Sequence, residues 1–157
     1  MFLNSYEREY EITLKFLEAF PAGNSDFRPN AHLQSALEIA WVFPEEERML
    51  VSGALDGDVV FKRNAPPETL DEIKEIYEKN HRELAARIKE LSNEDLSAMI
   101  TFGSGADNAT AMRRGDALWL AVMDAVHHRG QFSVYIKMAG GKVPTLLDGL
   151  STEEPVK

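Results

Sequence analysis

Asp124 and His128 stand four residues apart in the stretch MDAVHHRGQFSVYIK, residues 123–137. On a helix that spacing stacks both side chains on one face. A carboxylate oxygen and an imidazole nitrogen so placed can share one divalent ion, since both are common ligands of zinc and related metals. Without an ion they can act as an acid–base pair, Asp124 orienting His128 and raising its basicity. The plainer use is a packing network, in which the acid pairs with His128, Arg129 or Arg114. Two ligands do not make a metal site, so a third group has to come from a facing helix. Gln131 and Tyr135 prolong the same stripe. His127 points about 100° away from His128 and reads as a hydrogen-bonded packing residue. His32 and His81 have charged or capping neighbours that suit the surface.

The element that carries these residues is apolar on every face from Ala117 to Met123, which predicts burial all round. Gly130 lies inside it. A helical glycine costs about 1 kcal/mol relative to alanine, and close approach of another helix or of a partner subunit would compensate. Arg129 could cross such a contact to an acid or a carbonyl. No G-x-S-x-G elbow is present, and no glycine-rich phosphate loop follows a strand.

The positioning elements read as helices nearly throughout. Phe2, Tyr6, Tyr10, Thr13, Leu14, Leu17 and Phe20 recur at three- and four-residue intervals, and Pro21 and Gly23 end that helix. A second helix is expected after Arg28-Pro29-Asn30, with Asn30 as N-cap and a kink or break at Pro44. A third follows Pro66-Pro67, with a seam of Leu70, Ile73, Tyr77, Leu84, Ile88 and Leu91 around Asn80. Ser92 to Ala98 reads as a short extra turn, and Gly103 to Asn108 as a loop. A fourth helix is expected from Ala111 or Gly115 to Met138, ended by Gly140-Gly141 and Pro144. No stretch alternates with period two, so no strands are expected. The reading is all-α, one helical bundle domain over residues 1–157, with 144–157 as a surface strap.

Composition narrows the function. The 157 residues suit one domain, and the absence of cysteine excludes disulfides and thiolate sites. A net charge of −9, with bases dispersed among glutamates, argues against nucleic-acid binding, which draws its affinity from Lys and Arg. No apolar run nears the roughly 18 residues of a membrane span, and the acidic N-terminal stretch is unlike a signal peptide. A cytoplasmic setting is expected.

His127-His-Arg-Gly-Gln131, continuing to the exit Gly141-Lys-Val-Pro144, resembles the DinB-like family of the DinB/YfiT superfamily. Phe27-Arg-Pro-Asn30 and Ser35-Ala-Leu-Glu-Ile-Ala-Trp41 resemble a second segment of those relatives. The resemblance implies a four-helix bundle in an up-down-down-up arrangement, often a homodimer. It also implies three histidines around a divalent metal, nickel or zinc, and metal-dependent hydrolase or thiol-transferase chemistry on a small molecule. Carried over by position, one ligand is His128, the one four residues earlier is Asp124, and the helix-two position is Val42, which cannot coordinate. Glu38, Glu45 and Glu46 are the nearby substitutes. The alternative is a metal-free, non-catalytic bundle that binds a small ligand or a protein partner between its helices. An elongated cavity lined by Trp41, Val42, Trp119 and Tyr135 would favour that alternative.

Overall fold

The structure, a computed structural model, describes residues 2–103 and 109–146. Its long helices are α1 (Phe2–Glu18), α5 (Leu70–Lys89) and α7 (Arg114–Met138). Between the first two lies a broken helical run made of α2 (Ala36–Ala40), α3 (Val42–Glu46), a π-helical segment (Glu47–Ser52) and α4 (Gly53–Asp56). Helix α1 packs on both α5 and α7, and the π-helical segment also packs on both. The protein is therefore mostly helical around a shared interior.

Local chemistry explains the boundaries. Ser35 caps α2: its hydroxyl accepts from the Glu38 N–H, and Glu38 accepts in return from the Ser35 N–H. The cap is thus Ser35 and not the expected Asn30, whose side chain instead accepts from the His32 N–H in the preceding turn. Thr69 and Glu72 form the same reciprocal cap on α5, so Pro66 and Pro67 stand before the helix and not in its first turn. The break near Pro44 is present. Proline has no N–H to return to the carbonyl four residues back, and regular α-helix lapses at Trp41 between α2 and α3. Three residues after Pro44 the backbone widens into the π-helical segment.

The interior has two apolar clusters. One joins Tyr6, Leu50, Leu84, Ile88, Leu118 and Val122; the other joins Phe16, Leu17, Phe43, Ile73, Phe132 and Ile136. Asn80, in the middle of the α5 seam, donates from its amide to the Pro44 carbonyl. The short extra turn is α6 (Asn93–Ser97), capped by Ser92.

Other expectations fail as well. Ala117 to Met123 is not buried all round, for Trp119, Leu120 and Met123 are exposed. Among the described residues there are three short strands: β1 (Asp58–Val59), β2 (Met99–Phe102) and β3 (Thr110–Arg113), with β1 parallel to β2 and β2 antiparallel to β3. Strands of two to four residues are too short to produce a legible alternation. At Gly130 the expected approach of another helix of the chain is absent among the described residues: the glycine is exposed, and a Cβ there would meet nothing within 4 Å. Helix α7 does end at Gly140-Gly141, with Gly140 at φ 86 and the Gly141 N–H bound to the Ile136 carbonyl. The expected loop over residues 104–108 and the strap from 147 onward lie outside the described residues.

Gly141 does have neighbours. A Cβ there would lie 2.8 Å from Ile136 Cγ2, 2.9 Å from the Ala19 carbonyl and 3.0 Å from Pro21 Cδ. Gly141→Ala is expected to lower stability by about 1–3 kcal/mol, measured by urea denaturation. An unchanged midpoint would show that the end of α7 is not held against the end of α1.

Candidate functional site

Three glutamates follow Pro44 in succession, and all are buried: Glu45 at 2%, Glu46 at 3% and Glu47 at 5% exposure. A buried carboxylate needs a partner, and each of the three finds a different one. Glu45 binds Arg48 through both oxygens and also accepts from the backbone and side-chain amides of Asn64. Glu47 accepts from the Tyr6 hydroxyl at 2.6 Å and lies 3.0 Å from Nδ1 of His81. Glu46 turns to α7.

There Glu46 meets Asp124 and His128. One ligand atom from each of the three lies within 4.8 Å of the others. Nε2 of His128 is 3.0 Å from Glu46 Oε1 and 3.7 Å from Asp124 Oδ1. Donor atoms on a tetrahedral ion with bonds near 2.1 Å are about 3.4 Å apart, so the spacing suits one shared small cation. The direction agrees. At 3.0 Å His128 Nε2 is the ion-pair partner of Glu46, but neither Glu46 oxygen has a hydrogen bond of good geometry. A buried carboxylate left so is a reason to expect a ligand.

His128 is oriented by a neighbour on its own helix. Its Nδ1 lies 3.0 Å from the Gln131 side-chain oxygen, which can only accept, so Nδ1 carries the proton and Nε2 is the ring atom presented to the acids. The amide nitrogen of Gln131 in turn donates to His127 Nε2 at 3.0 Å. Hydrogen bonding at the far nitrogen is the usual way a metal-binding imidazole is fixed in tautomer and orientation.

Burial pushes the Glu46 carboxyl up to about 7, against the opposing pull of His128. The neighbouring Glu46 carboxylate raises His128 in turn. Burial also raises Glu47.

The structure brings Asp124 and His128 together, both half-buried, on the side of α7 that meets Glu46 of the helical run. The third group is Glu46, one turn beyond Val42, while Glu38 caps α2 and pairs with Arg28. Val42 is buried and offers no ligand atom. Arg129 reaches Glu9 of α1 at 2.6 Å, not Asp124, and Arg114 binds the carbonyls of Ala54 and Asp95. Two histidine readings need correction. His127 is exposed and not a packing residue. His81 is buried, stacked on Tyr10 with ring centroids 3.7 Å apart, and sits between Glu47 and Glu7. Its spacing from Tyr77 and Leu84 was the available signal. His32 is exposed as expected.

Among the described cavities none gathers Trp41, Val42, Trp119 and Tyr135. Trp119 packs edge-on to Phe2, and the Tyr135 hydroxyl donates to the Gln34 carbonyl. A cleft of about 240 Å³ instead opens on the site, lined by Glu46, Met49, Leu50, Phe61, Arg63 and Asp124.

The titration of the pair has a sign. A carboxyl whose folded pKa is raised binds its proton more tightly when folded, so its stabilising effect is lost as pH rises from about 4.5 to about 7. A raised His128 adds a loss of the same sign on passing its own folded value. Metal-free protein is expected to lose on the order of 2–3 kcal/mol across that window relative to Glu46→Gln, followed by urea denaturation at each pH. Identical pH slopes for the two proteins would contradict the assignment.

The comparisons with known proteins agree with this frame. A DinB-like protein from Bacillus cereus has a solved structure similar to this one, with a TM-score of 0.79 at 24% identity, covering 92% of this chain and 95% of that one. The DinB-like protein YjoA from Bacillus subtilis matches with a TM-score of 0.72 at 17% identity, covering 92% and 96%. At such identities the likeness establishes the fold alone. No curated protein matches. The sequence itself matches the DinB family over residues 1–156, and the chain belongs to that family.

Proposed function

We propose that this protein holds one divalent metal ion, zinc or nickel, through Glu46, Asp124 and His128, and acts on a small molecule as a hydrolase or thiol transferase. The observation that carries the reading is Glu46, a buried carboxylate with no hydrogen bond of good geometry, set within 4.8 Å of an acid and an oriented imidazole. A divalent ion held there supplies Lewis acidity that ionises a thiol or a water near neutral pH.

The residues divide the remaining work. Glu46 and Asp124 contribute the negative charge that balances a dication, and Gln131 keeps the His128 Nε2 lone pair directed inward. Asp124, half-buried at the wall of the cleft, is placed to take a proton from a substrate that enters beside Phe61. Loss of the donor at Val42 is the motive for a metal-free reading, and Glu46 supplies a donor one turn later.

We read the helical run from 36 to 56 with α1, α5 and α7 as the up-down-down-up four-helix bundle. A homodimer through the outer face of α7 is part of the same proposal. Leu120, Met123, Gly130 and Val134 follow heptad spacing there, Met123 is 66% exposed, and the bare backbone at Gly130 permits a close helix crossing.

Calorimetric titration of metal-free protein with zinc and with nickel is expected to give a dissociation constant in the micromolar range or tighter. Glu46→Ala and Asp124→Ala are expected to abolish most of that affinity, and Gln131→Ala to weaken it about 10–100-fold. No binding at micromolar metal, or wild-type affinity in Glu46→Ala, would remove the reading. Sedimentation is expected to show a dimer that Met123→Glu converts to monomer; a wild-type monomer at tens of micromolar contradicts the pairing.

A further inference from the structure

Arg63 lines two clefts at once. One is the cleft beside Glu46 and Asp124; the other, of about 190 Å³, runs past Trp41, Val42, Asn64 and Pro66. It is the single cation among the residues lining either. The backbone on both sides of it is tied down. Arg48 donates to the Lys62 carbonyl. The Asn64 N–H donates to Glu45 at 2.7 Å, and the Trp41 indole N–H donates to the Asn64 carbonyl at 2.9 Å. A connection without regular secondary structure is thus fixed to the buried Glu45–Arg48 pair.

The guanidinium that this anchoring presents has no hydrogen bond or ion pair with any described residue. The reason is visible in its surroundings. Glu38 is taken by Arg28, Glu45 by Arg48, and Glu46 and Asp124 lie against His128. Every carboxylate lining the two clefts is engaged elsewhere. The result is an exposed guanidinium on an anchored stretch of backbone, in clefts that Phe61 and Trp41 also line.

We infer that Arg63 anchors an oxyanion group of the substrate, so that the substrate is a small acid whose reactive end reaches Glu46, Asp124 and His128. The inference rests on the metal-site reading above and adds the substrate class. A guanidinium recognises carboxylates and phosphates through paired N–H donors, which fixes orientation as well as affinity. A flat or aliphatic middle would lie against Phe61 and Trp41.

The test compares two thiols that differ at the far end. Calorimetry on zinc-loaded protein with 3-mercaptopropionate and with 3-mercapto-1-propanol is expected to show a preference of about tenfold or more for the acid. Arg63→Ala is expected to erase the preference while zinc affinity stays within about twofold, and Arg63→Lys to restore part of it, since lysine keeps the charge without the fork. No preference in wild type, or the same preference in Arg63→Ala, overturns the anchor. Should zinc fail to bind, the metal-site reading falls, and the anchor is then decided in metal-free protein. Titration with benzoate and with inorganic phosphate, followed by tryptophan fluorescence, shows Arg63-dependent binding of one or both if the anchor is real. The ion that binds identifies the acid as a carboxylate or a phosphate; binding of neither, or binding unchanged in Arg63→Ala, overturns it.

Discussion

Burying an acid is the constraint on which this protein is built. Directly after Pro44 the chain places three glutamates in a row inside the fold, and an unpaired buried charge costs several kcal/mol. Successive residues of a helical run point about 100° apart, so the three carboxylates must be met from three directions. Glu45 is met by the connection at Asn64, Glu46 by α7, and Glu47 by Tyr6 of α1 and His81 of α5. The polar interior is therefore a set of distinct partnerships radiating from one short segment. The backbone departs from α-helical geometry at the last of the three, Glu47, where the π-helical segment begins. A proline that forbids a regular ladder and a widened turn beyond it allow three adjacent side chains to reach separate neighbours.

Of the three, only Glu46 lacks a hydrogen bond of good geometry at both oxygens. Glu45 has an arginine and two amides, and Glu47 has a tyrosine hydroxyl and an imidazole. In the metal-site proposal this asymmetry is what marks Glu46, and not Glu45 or Glu47, as the ligand. It also shapes which ion suits the site. Two carboxylates and one imidazole form a harder and more negative donor set than three imidazoles, which draws the preference toward oxygen-loving dications within the range that imidazole tolerates. Gln131 then has a role that its spacing alone only hinted at: one amide fixes the tautomers of two adjacent histidines, one facing inward and one exposed.

How far the chain could be read without coordinates varied with the range of the interaction. The long helices were legible because their apolar spacing repeats over many residues, and the end of α7 was legible because Gly140-Gly141 has few other uses. Asp124 and His128 were legible as a pair because both lie on one helix. The N-cap at Ser35 carried the S-x-x-E signal within it, but Asn30 offered a competing cap. The three-stranded sheet escaped notice, since pairing between residues 58–59, 99–102 and 110–113 is long-range and each strand is very short. The charged neighbours of His81 point to the surface, and the interval from Tyr77 points to the buried face, where the ring in fact lies. Glu46 was one of three candidate acids, and only the turn of the helical run beyond Pro44 selects it. Arg63 had no local signal at all: its significance comes from what its neighbours are bound to.

The fold accounts for most of this chain without reference to chemistry, so the central claim has to be tested where fold and chemistry separate. Crystals grown from protein saturated with zinc, with diffraction collected on both sides of the zinc absorption edge, give that separation. The account predicts an anomalous peak at bonding distance, about 2.0–2.2 Å, from Glu46, Asp124 and His128 Nε2 together. A well-ordered map with no peak there, or with zinc bound only at the exposed His127, would mean that Glu46 is buried for packing alone.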